Sequence, residues 1–127
     1  VFIDALRFRS VIENLINNGI ESYPSEVPDE EKGVMLFLEI EAGECTIIIR
    51  DKGKGIHEKE KENLFDPFFT TKTTGSGIGL AVSRRFIEAA GGSLDLHTNS
   101  FGGTDAVMVL PLLDKSQDKD RGGEKKK

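Results

Sequence analysis

Residues 34–55 read VMLFLEIEAGECTIIIRDKGKG. Residues 34–42 alternate apolar and polar only in their second half, through Phe37, Leu38, Glu39, Ile40 and Glu41. Residues 45–50 carry Thr46, Ile47, Ile48 and Ile49, a β-branched run that suits a buried strand. Gly43 and Glu44 between them are short enough for a hairpin turn, so the segment predicts two antiparallel strands. The second strand runs straight into Asp51-Lys52-Gly53-Lys54-Gly55, one carboxylate followed by a pliant turn.

Working outward, residues 4–22 read as a helix. Phe8, Val11, Ile12, Leu15, Gly19 and Ile20 recur at three- and four-residue steps, with Asp4 as the N-cap and Pro24 closing the segment. The acidic stretch 25–33 reads as an exposed loop. Downstream, 57–64 predicts a short charged helix and 65–74 a loop. Residues 77–90 predict a second amphipathic helix stopped by Gly91 and Gly92. Residues 93–98 and 104–112 predict two more strands around a turn at Gly102 and Gly103. From Asp114 apolar residues vanish, which divides the chain into a domain over 1–113 and a charged tail over 114–127. Paired strands without one helix between each pair argue for an α+β two-layer sandwich over a doubly wound sheet.

Composition narrows the function classes. The 127 residues carry 22 acidic and 17 basic side chains, a net charge of −5, which argues against a nucleic-acid binder. No apolar run approaches the ~20 residues a bilayer crossing needs. The single Cys45 rules out an intrachain disulfide and favours a cytoplasmic setting. The chain begins at Val1 without a signal-peptide pattern and is expected to be a fragment of something longer.

Four constellations carry chemistry. Asn14 and Asn18, four residues apart, share the edge of the apolar stripe of the first helix. Asn is a poor helix former, so three of them in five positions are either solvated amides near a helix end or neutral oxygen ligands suited to Mg²⁺. Asp51 at a strand end is either an ordinary Asp/Gly turn or an acceptor for an exocyclic amine such as that of adenine. Gly75-Ser76-Gly77-Ile78-Gly79-Leu80 runs into a helix and matches neither the dinucleotide fingerprint nor a Walker A loop. It is either a flexible loop or a cradle offering helix N-terminal amides to an anion. Leu64-Phe65-Asp66-Pro67-Phe68-Phe69-Thr70-Thr71-Lys72 places three Phe in a loop, as core plugs or as a lid. Lys72 then precedes the glycines, within reach of a terminal phosphate.

Together, in this order and spacing, these segments resemble the catalytic, ATP-binding domain of sensor histidine kinases, in the superfamily of DNA gyrase B, Hsp90 and MutL. The N box would be residues 14–19, the first glycine box 51–55, the F box 65–69 and the second glycine box 75–79. Gly102-Gly103-Thr104 resembles the short third glycine box. The Phe-Phe-Thr-Thr-Lys string is similar to nitrogen-regulation and sporulation kinases. The resemblance covers residues 1–112. It implies a Bergerat ATP-binding fold, with a mixed, mostly antiparallel sheet of about five strands and three helices on one face. It also implies roles. Asn14 and Asn18 would hold Mg²⁺ and the phosphates, and Asp51 would receive the adenine amine. Gly55 would let the ring approach, and Gly77 and Gly79 would offer amides to the phosphates. Lys72 would approach the γ-phosphate, and Thr104 would sit by the adenine. Gly53, Ile56, Gly75, Ser76, Ile78 and Leu80 would complete the nucleotide-contacting set.

Two positions depart from the family pattern. Glu21 stands where many members carry a basic residue, leaving that contact to Lys72 or Arg7, and Asn18-Gly19 replaces the usual Asn-Ala. Neither His57 nor His97 sits in a His-Glu-x-x-x-Pro helix, so the phosphoacceptor is expected on a separate dimerisation domain, with a response regulator beyond it. The fragment itself is expected to be monomeric. An ATPase of the gyrase or Hsp90 type is the alternative. It would need a water-activating Glu at position 14, where Asn stands; Glu13 is turned ~100° away. A non-catalytic nucleotide-sensing module is the third reading.

Overall fold

The computed structural model describes residues 4–56, 59, 65 and 78–112. The first helix, α1, spans Ala5–Glu21. Asp4 caps it as expected, its Oδ1 accepting from the Leu6 N–H at 2.7 Å. Val11, Leu15 and Gly19 recur every four residues and form its buried stripe. A 3₁₀ turn at Asp29–Glu31 follows in the acidic loop.

Strands β1 (Val34–Glu41) and β2 (Glu44–Asp51) form the expected hairpin, with Glu41 opposite Glu44. The turn is therefore Ala42–Gly43, one residue earlier than the sequence indicated. Both residues have positive φ, +54° and +81°, the geometry of the two-residue hairpin turn that matches strand twist. After α2 (Ile78–Ala89), strands β3 (Ser93–Thr98) and β4 (Thr104–Pro111) form a second hairpin. β2 pairs with β4, so the sheet order is β1-β2-β4-β3 and every pairing is antiparallel.

Among the described residues there are four strands where about five were expected. The chain itself supplied only four strand-length segments, and the fifth came with the resemblance. The third helix expected, at 57–64, lies outside the described residues except for Lys59, and 66–77 and the tail lie outside them altogether.

α2 ends as a Schellman motif. Gly92 N donates to Ile87 O at 2.9 Å and Gly91 N to Glu88 O at 2.9 Å, with Gly91 at φ +88°. The core joins Val11 and Leu15 of α1 and Ile87 of α2 to Cys45, Ile47, Ile49, Leu94, Ala106, Met108 and Leu110 of the sheet. β2 buries only its odd residues, so the isoleucine run is half-buried. β1 lies at the edge, and only Val34 of it packs against the core. By register Leu36, Leu38 and Ile40 share the helix-side face, yet they stay 49%, 58% and 62% exposed.

Candidate functional site

Asp51 is the last residue of β2 and is 5% exposed. Its Oδ1 accepts two backbone hydrogen bonds, from Gly53 N at 2.8 Å and Thr104 N at 3.1 Å. The second ties the end of β2 to the start of β4. Burial lifts the Asp51 carboxyl above its ordinary value, and the N–H groups of Gly53 and Thr104 and the Ser22 hydroxyl pull it partly back. Its other oxygen, Oδ2, lies beside Gly19 of α1, where an added Cβ would stand 3.4 Å away. The carboxylate thus faces the C-terminal end of α1 with one oxygen already saturated.

The turn around it is held from several sides. The carbonyl of Ser22, the C-cap of α1, accepts from Lys54 N at 3.1 Å. Tyr23 Oη accepts from Lys52 N at 3.0 Å and donates to Gly33 O at 2.6 Å. Gly55 has φ +78°, and any side chain there would run into the Gly102 carbonyl oxygen. The first and third glycine boxes therefore meet backbone to backbone at Asp51.

Asn14 lies one turn above Asn18 on the same half-buried face of α1. Its Nδ2 donates to Ser83 Oγ of α2 at 3.2 Å. Its Oδ1 faces Gly79, where an added Cβ would stand 2.5 Å away. Gly79 is thus a close-approach glycine, letting the first turn of α2 come down onto the Asn14 amide. Gly19, Asn18 and Asn14 form one track along α1, from the Asp51 carboxylate to the start of α2. Five helical rises, from residue 14 to residue 19, make that track about 7.5 Å long.

The remaining expected site residues divide into three sets. Gly53, Gly55, Ile56 and Thr104 gather around Asp51 or follow it directly, and Ile56 is half-buried. Ile78, Gly79 and Leu80 open α2, with Leu80 packed against the core. Lys72, Gly75, Ser76 and Gly77 lie outside the described residues, as does His57. His97 is exposed on β3, and the Arg7 guanidinium sits 5.2 Å over the Phe86 ring. Sequence reasoning missed Ser83, Ser22 and Asn99. Only Asn99, a turn-forming residue just ahead of the glycine pair, carried a local signal.

For a divalent cation, the described residues hold no cluster of three His, Cys, Asp or Glu side chains. The donors on the α1 track are neutral amides, with the Asn14 Oδ1 not consumed by the Ser83 bond. That set suits an oxygen-seeking Mg²⁺ that brings its own phosphate and water ligands, and not a cation held by protein alone.

The family model described as histidine kinase-, DNA gyrase B-, and HSP90-like ATPase matches residues 3–114. The chain belongs to this family. Sensor protein FixL of Bradyrhizobium diazoefficiens is 32% identical over 118 residues, covering 91% of this chain and 23% of FixL. Sporulation kinase D of Bacillus subtilis is 33% identical over 106 residues, covering 82% of this chain and 20% of that kinase. The chain therefore spans about a fifth to a quarter of the length of these relatives. The catalytic domain of histidine kinase ThkA superposes with a TM-score of 0.73 at 32% identity, over 86% of this chain and 68% of that one. No helix among the described residues is long and apolar enough to cross a membrane.

Proposed function

We propose that this histidine-kinase-type domain binds Mg-ATP and passes the γ-phosphate to a histidine on a separate dimerisation domain, in two-component signalling through a response regulator. The observation that carries the nucleotide reading is the state of Asp51. It is a buried carboxylate with Oδ1 taken by two backbone donors and Oδ2 left beside Gly19. Such a group accepts hydrogen bonds only, which matches an adenine amine and repels a guanine carbonyl.

From that end the phosphates would run along the α1 track to Asn18, Asn14 and the first turn of α2. Mg²⁺, held by the Asn14 and Asn18 amide oxygens together with the phosphates, would supply charge neutralisation at the transferring group. Gly77, Gly79 and neighbouring amides would bind phosphate oxygens, and Lys72 would meet the γ-phosphate. Phosphoryl transfer needs positioning and charge stabilisation more than covalent help, and these groups supply both.

The ATPase alternative needs a carboxylate aimed at water beside the phosphates. Asn14 occupies that position, and Glu13 is 58% exposed and paired with Arg9 at 3.0 Å. Both points support a kinase over an ATPase. The domain would occupy 1–113, work in the cytoplasm and act as a monomer until joined to its phosphoacceptor partner. Calorimetry with ATP, ADP and GTP tests the site. ATP and ADP should bind and GTP should bind at least about 10³-fold more weakly. Equal affinities would refute the adenine assignment.

A further inference from the structure

Behind Asp51, on the sheet face turned away from the helices, Arg50 of β2 stands directly opposite Asp105 of β4. Arg50 Nε and Nη2 donate to Asp105 Oδ1 and Oδ2, both at 2.8 Å. This bidentate pair is only part-exposed, and the Arg50 guanidinium also lies 5.0 Å over the Phe37 ring. The Arg50 hydrogen bond, ahead of a smaller bond from Asn99, holds the Asp105 carboxyl below its ordinary value.

Asn99, in the turn between β3 and β4, connects that pair to Asp51. Its Nδ2 donates to Asp105 Oδ1 at 2.9 Å and to the Asp51 carbonyl oxygen at 2.9 Å. Its Oδ1 accepts from Phe101 N at 2.9 Å and Gly103 N at 3.0 Å. Both donors and both acceptor sites of the amide are used, so the side chain has one orientation. The turn is thereby fastened to the backbone of Asp51 itself. Gly103 lies so close that an added Cβ would overlap the Asp51 carbonyl and stand 2.7 Å from Lys52 Cα. The next residue, Thr104, then delivers its N–H to Asp51 Oδ1.

We propose that Asn99, anchored by the Arg50–Asp105 pair, is a positioning residue for purine recognition. It holds the third glycine box so that Thr104 N–H saturates Asp51 Oδ1 and Oδ2 alone is turned to the exocyclic amine of the base. This inference rests on the adenine reading of Asp51. Asn99 touches no substrate and acts through the orientation of the carboxylate. Losing it frees the Asp51 carboxylate to rotate, which weakens the amine-dependent part of binding and spares the phosphate-dependent part.

The test compares calorimetric affinities for ADP and for purine riboside diphosphate, which lacks the 6-amino group. The proteins are wild type, Asn99→Ala, Asp105→Ala and Asp105→Asn. Wild type should prefer ADP by about tenfold or more, the worth of one hydrogen bond to a charged acceptor. Asn99→Ala should cut that preference about fivefold or more while changing affinity for the amine-free nucleotide much less. Asp105→Ala should lose part of the preference. Asp105→Asn keeps an oxygen for the Asn99 amide and should recover most of it. Affinities for both nucleotides falling in parallel in Asn99→Ala, with the preference intact, would reduce Asn99 to a structural residue and overturn the proposal. If Asn99→Ala does not fold, the two Asp105 variants decide: no difference in preference between them overturns it equally. A wild type without preference for ADP would instead overturn the adenine reading on which the proposal stands.

Discussion

Asp51→Asn exchanges one oxygen of a buried side chain for an NH₂ group, and the surrounding geometry leaves the amide no harmless orientation. In the wild type Oδ1 accepts from Gly53 N at 2.8 Å and Thr104 N at 3.1 Å. If the new amide oxygen keeps those bonds, the NH₂ occupies the former Oδ2 position and points a donor at the adenine amine. The site then loses a hydrogen bond to a charged acceptor, about 1.5–3 kcal/mol, and leaves a buried donor unpaired, about 1–3 kcal/mol more. If the amide flips, its NH₂ meets the two backbone N–H groups, which forfeits both bonds at about 1 kcal/mol each. The lower of these costs, about 2 kcal/mol for the flip, still predicts affinity for ADP down by about 30-fold or more. The fold should not suffer, because the substitution removes a charge whose burial already lifts its pKa. The assay is ADP calorimetry beside a thermal melt. A variant that melts like wild type and binds ADP within about threefold of it would refute the reasoning.

Since burial raises the Asp51 pKa, ADP affinity should begin to fall on acidification above the ordinary carboxylate range; pH-series calorimetry checks this, and Asp51→Asn should show no such step. The same shift means a proton binds the folded state more tightly, so the Asp51 contribution to stability declines as pH rises through that window. Asp105, whose pKa is lowered by Arg50, contributes stability above its unfolded value that is lost as pH falls through its folded one. Chemical denaturation across pH should show the Asp105 loss at the acid end, absent in Asp105→Asn. Asn18→Ala should weaken Mg-ATP binding more than metal-free nucleotide binding, and titrations with and without EDTA separate the two; an equal loss makes Asn18 structural. Ala42→Asn should stabilise the domain by about 0.5–1 kcal/mol in denaturant melts without touching nucleotide affinity, because Ala42 sits at φ +54° in a turn that favours Asn-Gly.

What could be read from sequence was what is decided locally. Asp4 as N-cap and the stop of α2 at Gly91 depend on neighbours a few residues away, and both stand as expected. The hairpin was visible, but its turn slipped by one residue because Ala42 adopts positive φ, which no propensity favours. The exposure of Leu36, Leu38 and Ile40 was not legible, since an apolar pattern does not reveal that its strand lies at the sheet edge. At the site, Asp51, Asn14, Asn18 and Gly79 were each singled out by residue type and spacing. Their partners were not. Asn14 meets Ser83 across 69 residues and Asn99 meets Asp51 across 48, and only the fold brings them together. Lys72 and residues 75–77, read from the glycine-rich loop and its neighbouring lysine, lie outside the described residues.

The central claim is most directly tested by transfer of label from γ-³²P-ATP when this chain is mixed with a histidine-bearing helical dimerisation domain. The chain alone should bind ATP, turn it over slowly and gain no phosphohistidine. With the partner present, acid-labile, base-stable phosphate should appear on the partner histidine and should fail to appear with Asp51→Asn. Rapid ATP hydrolysis by the chain alone, or acid-labile label on its own His57 or His97, would contradict it.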